Sequence, residues 1–281
     1  MSLAGKTALI TGAGSGIGRA AAIEAAKRGM AVALVGRRAE RLQETRRHIA
    51  RGADCLVIRA DVTDPVARRA IGDQVAAQWG HLDVLVNCAG IVAAGPLGEV
   101  EDCAFARLMA TNVGAPLALT RELLPLLRAA APARVVNVGS MLGDIAYPLF
   151  SAYAASKFAL RGLSDALRRE LKGFGIGVTL VAPRGARTEA TAAIARFVEP
   201  LDMPLDDPAV IAGQLWDAVA RGRDTAYPGQ RERLFVLIER LCPAVIDRAL
   251  SKQMAASGLS GLAEQPARND SPALAGDISI P

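Results

Sequence analysis

Short apolar runs alternate along this chain with longer stretches in which apolar residues recur every three or four positions. Thr7–Thr11, Ala31–Gly36, Cys55–Arg59 and residues 83–87, 134–138, 177–181 and 224–227 read as buried strands. Between them, residues 19–28, 38–50, 65–79, 101–128, 153–172 and 208–221 carry helical spacing. Gly29 stops the first of these helices, and Gly173 with Gly175 stops the fifth. Strand and helix take turns throughout. That order predicts an α/β fold built on a doubly wound parallel sheet of about seven strands, with helices on both faces.

Past residue 230 the pattern changes. Leu234, Phe235, Leu237, Ile238, Leu241, Val245, Ile246 and Ala249 form an apolar stripe at helical spacing, interrupted at Pro243. Arg231, Arg233, Arg240 and Arg248 flank it. The stripe suits a helix packed on a neighbouring loop or a second subunit. It also suits a basic amphipathic segment making peripheral contact with a membrane through residues 231–250. From Ala255 onward small and polar residues dominate without periodicity, which predicts a disordered tail. The expected organisation is therefore a main domain over 1–230, a helical extension over 231–254 and a tail over 255–281.

The chain of 281 residues is long enough for one α/β core. Aromatics make up only 4%, so the core is aliphatic, as a sheet buried on both faces requires. The net charge of +5 is spread over arginine pairs such as Arg46-Arg47 and Arg168-Arg169 rather than gathered in a basic block, which argues against nucleic acid. Cys55, Cys88, Cys103 and Cys242 form no C-x-x-C pair, so neither a metal site nor a disulfide framework is expected, and a reducing cytoplasm is. No apolar run approaches the ~18 residues of a membrane span, and the start lacks the pattern of a signal peptide.

Candidate chemistry begins at the first strand-to-helix turn, Thr11-Gly12-Ala13-Gly14-Ser15-Gly16-Ile17-Gly18. Glycines there let backbone N–H groups and a helix N-terminus cradle a diphosphate. The spacing G-x-x-x-G-x-G differs from the common G-x-G-x-x-G. The end of the second strand, where an acidic residue would hold the 2′-hydroxyl of an NAD ribose, carries Gly36, Arg37 and Arg38. Arginines there attract a 2′-phosphate, so NADP is expected over NAD, with NAD possible. The alternative is that both arginines cap a strand end in solvent. Asp61 and Val62 follow the third strand, where an acidic group suits an adenine amino group. Asn87, Ala89 and Gly90 follow the fourth, and small residues there let a cofactor approach the backbone.

Ser140 follows the fifth strand directly, at the end of the sheet where open α/β folds keep their ligands. Tyr153 and Lys157 lie four residues apart on one helical face. Free tyrosine titrates near ~10, and a neighbouring ammonium would lower that value and make the phenol a usable acid or base. The plain alternative is a half-buried Tyr beside an exposed Lys. Asn112 is a polar residue in an apolar helical pattern, where it is either structural or turned toward a site.

Taken together, Thr11-Gly12-x-x-x-Gly16-x-Gly18, Asn87-x-Ala89-Gly90, Asn112, Ser140, Tyr153 and Lys157 resemble the short-chain dehydrogenase/reductase family in its compact single-domain, Rossmann-like form. The resemblance runs from about residue 3 to 227. It implies hydride transfer between a nicotinamide and a carbonyl/alcohol pair. Tyr153 would pass the proton, Lys157 would lower its pKa and hold the ribose, and Ser140 would orient the substrate oxygen. Asn112 would anchor a water linking Lys157 to solvent. Gly12, Ser15, Gly16, Ile17, Gly18, Arg37, Arg38, Asp61, Val62, Asn87, Ala89, Gly90, Pro183 and Thr188 would join Tyr153 and Lys157 in the cofactor site. A homodimer or homotetramer would form through the helices at 101–128 and 153–172.

Two positions depart from the family pattern. Arg184 follows Pro183 where glycine is usual, and Cys88 stands where a second Asn is common. Apolar residues after Ser140 (Met141, Leu142, Ile145, Leu149, Phe150) and after Pro183 (Ile194, Phe197, Val198, Leu201, Met203) suit a lipophilic substrate such as a steroid, retinoid or fatty-acyl chain. They also suit packing against one another or a second subunit. The alternative to an enzyme is a non-catalytic dinucleotide-binding sensor or scaffold. A sugar-nucleotide epimerase is disfavoured by the glycine spacing and the lack of a second domain.

Overall fold

The computed structural model describes residues 2–259 and 261, and the structural statements below concern those residues. The first half of the sheet comes from β1 (Thr7–Thr11), β2 (Ala31–Gly36), β3 (Cys55–Arg59) and β4 (Val84–Asn87). They are linked by α1 (Gly16–Lys27), α2 (Ala39–Arg47) and α3 (Pro65–Trp79). The chain continues through α4 (Asp102–Met109), α5 (Ala115–Glu122), α6 (Leu124–Ala129), β5 (Ala133–Val138), α7 (Ser151–Glu170) and β6 (Ile176–Val181). A loop region holds β7 (Gly185–Ala186), α8 (Glu189–Ala192), α9 (Ala195–Val198) and β8 (Leu205–Asp206). Then come α10 (Pro208–Ala220), β9 (Thr225–Ala226), α11 (Gln230–Leu241) and α12 (Pro243–Ala256).

Seven strands form one parallel sheet in the order β3-β2-β1-β4-β5-β6-β9. The order runs one way from β1 to β3 and the other from β4 to β9. The crevice for a ligand therefore opens beyond the carboxyl ends of β1 and β4. Both faces of the sheet are covered, and successive strand residues serve opposite layers. Ala8 and Ile10 pack with Ala21, Ala22 and Ala25 of α1 and with Leu215, Trp216 and Val219 of α10. Leu9 packs in the other layer with Ile71 and Val75 of α3, Leu119 of α5 and Leu167 of α7. Trp216 Nε1 donates to Ala21 O at 2.8 Å, which satisfies a buried indole and ties α10 to α1.

The structure departs from the sequence pattern in three places. The single helix expected over 101–128 is divided: a π-helical turn at Ala110–Gly114 separates α4 from α5, and a break at Leu123 separates α5 from α6. Pro125 has no N–H to give to the turn before it, which accounts for the second break. The stretch 231–250 folds as two helices with Pro243 opening α12, and α12 runs on to Ala256, past the expected start of the tail. The rest of the predicted tail, apart from residues 257–259 and 261, lies outside the described residues. The short parallel ladder β7–β8 has no counterpart in the predicted elements, because two-residue strands leave no periodic signal.

The apolar stripe of the extension is only partly buried. Leu234, Phe235, Leu237, Leu241 and Val245 of the stripe are exposed and Ile238 and Ile246 half-buried, while the covered residues of the two helices, Val236 and Met254, lie off it. Among the described residues, no helix is long and apolar enough to cross a membrane.

Candidate active site

The crevice at the carboxyl ends of β1 and β4 holds two adjoining clefts that share Gly12, Ser15, Ala89, Gly90 and Ile91. One reaches Arg37, Arg38, Asp61 and Val62. The other reaches Gly16, Ile17, Gly18, Ser140, Tyr153, Lys157, Pro183 and Thr188. The loop after β1 and the N-terminus of α1 lie between these ends. Seventeen scattered positions of the sequence are thus strung along one continuous path. Asn87 and Asn112, expected beside them, line neither cleft.

Two glycines shape the centre of the path. Gly12 has φ +68°, and a Cβ there would sit 3.0 Å from Ala89 Cα. At Gly18 a Cβ would lie 2.2 Å from Gly12 O, so no side chain fits without moving the turn. Ser15 at the start of α1 makes no side-chain cap, so first-turn N–H groups of that helix are left to a ligand. These features fit a dinucleotide diphosphate. Crowding of this kind costs about 1–3 kcal/mol. A Gly18→Ala variant should therefore bind NADPH and NADH more weakly by roughly tenfold, and equally, in a fluorescence titration. Unequal losses would place the turn away from the shared diphosphate.

Thr11, the residue that opens the glycine motif, supports the same wall in a role the sequence did not assign to it. Its Oγ1 accepts hydrogen bonds from Cys88 N and Ala89 N, each at 2.9 Å, which fixes the loop after β4 against β1. The motif marks the position, but its hydrogen-bond partners come from the loop after β4, 77 and 78 residues away. Asn87 does different work from the expected cofactor contact. Its Nδ2 donates to Asn137 Oδ1 at 2.9 Å and to Thr120 Oγ1 at 3.3 Å, and Asn137 Nδ2 donates to Ser164 Oγ at 2.9 Å. Strand alternation turns residue 87 toward α5 and α7, so the side chain belongs to a buried polar network between sheet and helices.

Asn112 lies in the π-helical turn and is 1% exposed. Its Oδ1 accepts from Ile91 N at 2.9 Å, and its Nδ2 donates to Ile91 O and Ser156 Oγ, both at 3.0 Å. The amide thus fastens the loop after β4 to α7. A widened turn is what lets a helical residue face sideways into a neighbouring loop.

Helix α7 carries the chemistry. Its buried residues Ala154, Lys157, Leu160, Ser164 and Leu167 form one face, and Tyr153 lies a turn before Lys157. Ser140 ends the link from β5 and caps the 3₁₀ turn Met141–Gly143 by accepting from Leu142 N at 3.1 Å. A hydrogen bond joins Ser140 to the Tyr153 hydroxyl. Burial pushes the Tyr153 phenol up to about 12, and the Ser140 bond opposes that rise. Burial likewise pushes Lys157 down to about 8. This corrects the expectation that Lys157 draws the phenol downward. Its Nζ stands 5.6 Å from the Tyr153 ring centroid and donates to Val138 O at 3.1 Å.

Arg184 is held by carboxylates from two later elements. Its Nη2 and Nε donate to the two carboxylate oxygens of Asp206 at 2.7 and 3.1 Å, and its Nη1 donates to Glu232 Oε1 at 3.1 Å. One guanidinium thus joins the end of β6, strand β8 and helix α11. The hydrogen bond to Asp206 holds its pKa above the usual arginine range. Nearby, Leu142, Leu149, Phe150, Ile194, Phe197, Val198 and Leu201 bury themselves together with Met254 of α12. Leu142, Phe150, Ile194, Val198 and Met203 from that region line the cleft beside Tyr153.

A family profile described as short chain dehydrogenase matches residues 6–198. An 11-beta-hydroxysteroid dehydrogenase A of Sesamum indicum is 40% identical over 192 residues, covering 67% of this chain and 55% of its own length. The chain spans between 55% and 62% of the length of the first curated relatives it matches. Among solved structures, a short chain dehydrogenase/reductase from Burkholderia phymatum in complex with NAD superposes with a TM-score of 0.78 at 26% identity, covering 85% of this chain and 94% of that one. The Pseudomonas aeruginosa RhlG/NADP active-site complex gives a TM-score of 0.73 at 30% identity, covering 80% and 94%. With its parallel sheet, its glycine turn and its Ser140–Tyr153–Lys157 constellation, this chain belongs to the short-chain dehydrogenase/reductase family.

Proposed function

We propose that this chain is an NADP(H)-preferring oxidoreductase acting on a carbonyl/alcohol pair in a lipophilic molecule. The observation that carries the reading is the hydrogen bond of Ser140 to the Tyr153 hydroxyl, one helical turn from buried Lys157, at one end of the path formed by the two adjoining clefts. A non-catalytic dinucleotide-binding sensor would have no use for that pairing.

The bound nicotinamide cofactor supplies the hydride. Tyr153, protonated at neutral pH because burial raises its pKa, gives its proton to the carbonyl oxygen as charge develops there. Ser140 holds that oxygen and orients the phenol. Lys157 places a positive charge beside the ribose and the reacting oxygen while it keeps its proton. Asn112 holds Ile91 and Ser156 and so keeps the cleft wall at a fixed distance from α7. In the oxidative direction Tyr153 must first lose its proton, which its raised pKa opposes, so alcohol oxidation calls for higher pH than carbonyl reduction.

Arg37 and Arg38 supply the preference for NADP. Both line the far cleft with Gly36, where a carboxylate would otherwise receive the ribose 2′-hydroxyl. The relative named as an 11-beta-hydroxysteroid dehydrogenase and the apolar wall of Leu142, Phe150, Ile194 and Val198 both favour a lipophilic substrate. Phe105 on α4, Leu117 on α5 and Phe158 on α7 remain exposed, and they favour a homo-oligomer built through those helices.

Fluorescence titration with NADPH and NADH tests the cofactor assignment. NADPH should bind more tightly by about tenfold or more, a gain expected of charge-assisted bonds to a phosphate. The same NADPH titration should weaken as pH rises through about 8, because Lys157 then loses the charge that attracts the anionic cofactor. Equal affinities for the two cofactors would remove the role given to Arg37 and Arg38.

A further inference from the structure

Arg38, just after β2, and Arg41 in α2 are engaged by a residue from the other side of the site. Glu189, the first residue of α8, places one carboxylate oxygen 3.0 Å from Arg41 Nη2 and the other 3.5 Å from Arg38 Nη1. Arg41 is itself bonded to Glu44, which pairs with Arg19, and Arg19 donates to Gly14 O at 2.6 Å. A chain of alternating charge therefore runs from the glycine turn to the loop after β6. The preceding residue, Thr188, lies against the same turn: a Cβ at Gly16 would be 2.9 Å from Thr188 Cγ2. Thr188 also caps α8, accepting from Thr191 N at 3.3 Å, so the carboxylate is presented by an ordered turn.

We propose that Glu189 is a cofactor-specificity residue that competes with the 2′-phosphate of NADP(H) for Arg38 and Arg41. The inference rests on the NADP(H) reading of Arg38 given above. A ribose 2′-phosphate carries more charge than a carboxylate and offers three acceptor oxygens, as any phosphate monoester does. Two anions facing the same pair of guanidinium groups repel each other. The phosphate therefore displaces Glu189, and part of its binding energy goes into breaking the two existing ion pairs. NADH makes no such demand, and Glu189 keeps both partners.

Glu189 thus lowers the discrimination that Arg38 and Arg41 would otherwise give. It also makes the loop carrying α8 sensitive to which cofactor is bound, because the loop is tethered through Glu189 only when no 2′-phosphate holds the arginines. Arg41 becomes a second phosphate ligand, one the sequence does not suggest because it lies inside α2 rather than at the strand end.

The test is titration of wild type and Glu189→Gln with NADPH and NADH at fixed, low ionic strength. Glutamine keeps the size and hydrogen-bonding capacity of the side chain and removes its charge. Loss of two partly exposed ion pairs should tighten NADPH binding about fivefold and leave NADH unchanged. High salt should shrink the difference between the two proteins. A Glu189→Ala variant should give the same shift, which separates charge from a side effect of the amide. A wild-type preference for NADPH that Glu189→Gln leaves untouched would overturn the role of Glu189 alone. No NADPH preference in either protein would overturn the cofactor reading and this inference with it. A preference that emerges only in Glu189→Gln would support the competition by Glu189 and overturn the NADPH preference assigned to the wild type. NADH and NADPH tightening together would show that Glu189 acts on the shared diphosphate region and would overturn the competition.

Discussion

Replacing Tyr153 with Phe should lower the turnover number for carbonyl reduction by about 10³-fold while NADPH affinity stays within about twofold. The substitution removes one oxygen and keeps the ring, which packs against the apolar cluster beside the substrate loop. What is lost is the proton donor and the partner of Ser140. The size of the loss follows from the position of the phenol. Burial raises its pKa to about 12, so at pH 7 the phenol carries the proton that the developing alkoxide takes up. The same property gives a pH signature. Alcohol oxidation, which needs the phenolate, should accelerate as pH rises toward that value. Reduction should not gain from alkalinity and should decline once Lys157 deprotonates near 8. Stopped-flow measurement of NADPH oxidation, with cofactor binding followed separately, would check both. Turnover within a few-fold of wild type in Tyr153→Phe would refute the mechanism and return weight to a binding-only protein.

Asp144→Ala should destabilise the fold by about 3 kcal/mol, since breaking a buried ion pair from one side leaves the other charge without compensation. For a chain of this size that corresponds to a fall in Tm of roughly 6–12 °C. Asp144 follows the 3₁₀ turn that Ser140 opens, and its side chain is 2% exposed. Arg161 Nη1 reaches it at 2.5 Å, Tyr227 OH donates to its two oxygens at 3.2 Å, and Arg240 Nη2 lies at 3.5 Å. Burial still holds its pKa above the usual carboxylate range, with Arg161 the largest opposing influence. A carboxylate in that condition depends on its partners, and the partners depend on it.

The consequence reaches the chemistry. Arg161 is on α7, one turn beyond Lys157, so the ion pair clamps the Ser140 turn to the helix that carries Tyr153. Gly143 in that turn lies so close to α7 that a Cβ would be 2.8 Å from Lys157 O. Asp144→Ala should therefore reduce turnover more than cofactor affinity, as a positioning residue does when it is lost. Differential scanning calorimetry and steady-state kinetics on the same preparation would test it. An unchanged Tm would show that Arg161 and Arg240 are compensated elsewhere.

The sheet, its parallel order and the helices α1, α3, α7 and α10 were legible in the sequence because they depend on local rules. Buried parallel strands need unbroken aliphatic runs, helices need a stripe, and a phosphate-binding turn needs glycine where backbones nearly touch. Gly12 and Gly18 follow from that last requirement. The positions of Ser140, Tyr153 and Lys157 could be read for the same reason: each stands at a fixed offset from a strand end or along one helix face.

What the sequence could not fix were side-chain choices that depend on distant segments. Asn87 stands in a recognisable motif, yet only the packing of α5 and α7 on the sheet supplies Thr120, Asn137 and Ser164 as its partners. Lys157 lies one turn from Tyr153, but the direction of both pKa shifts comes from burial, which only the assembled fold provides. Arg184 looks like an anomaly beside Pro183 until β8 and α11 bring Asp206 and Glu232 to it. Glu189 and Arg41 are 148 positions apart in the chain and meet only because the loop after β6 crosses the glycine turn. Sequence determines which segments are strands, turns and helices, since those respond to neighbours a few residues away. Tertiary structure alone decides which charges meet and which are cut off from water, and at this site those decisions set the chemistry.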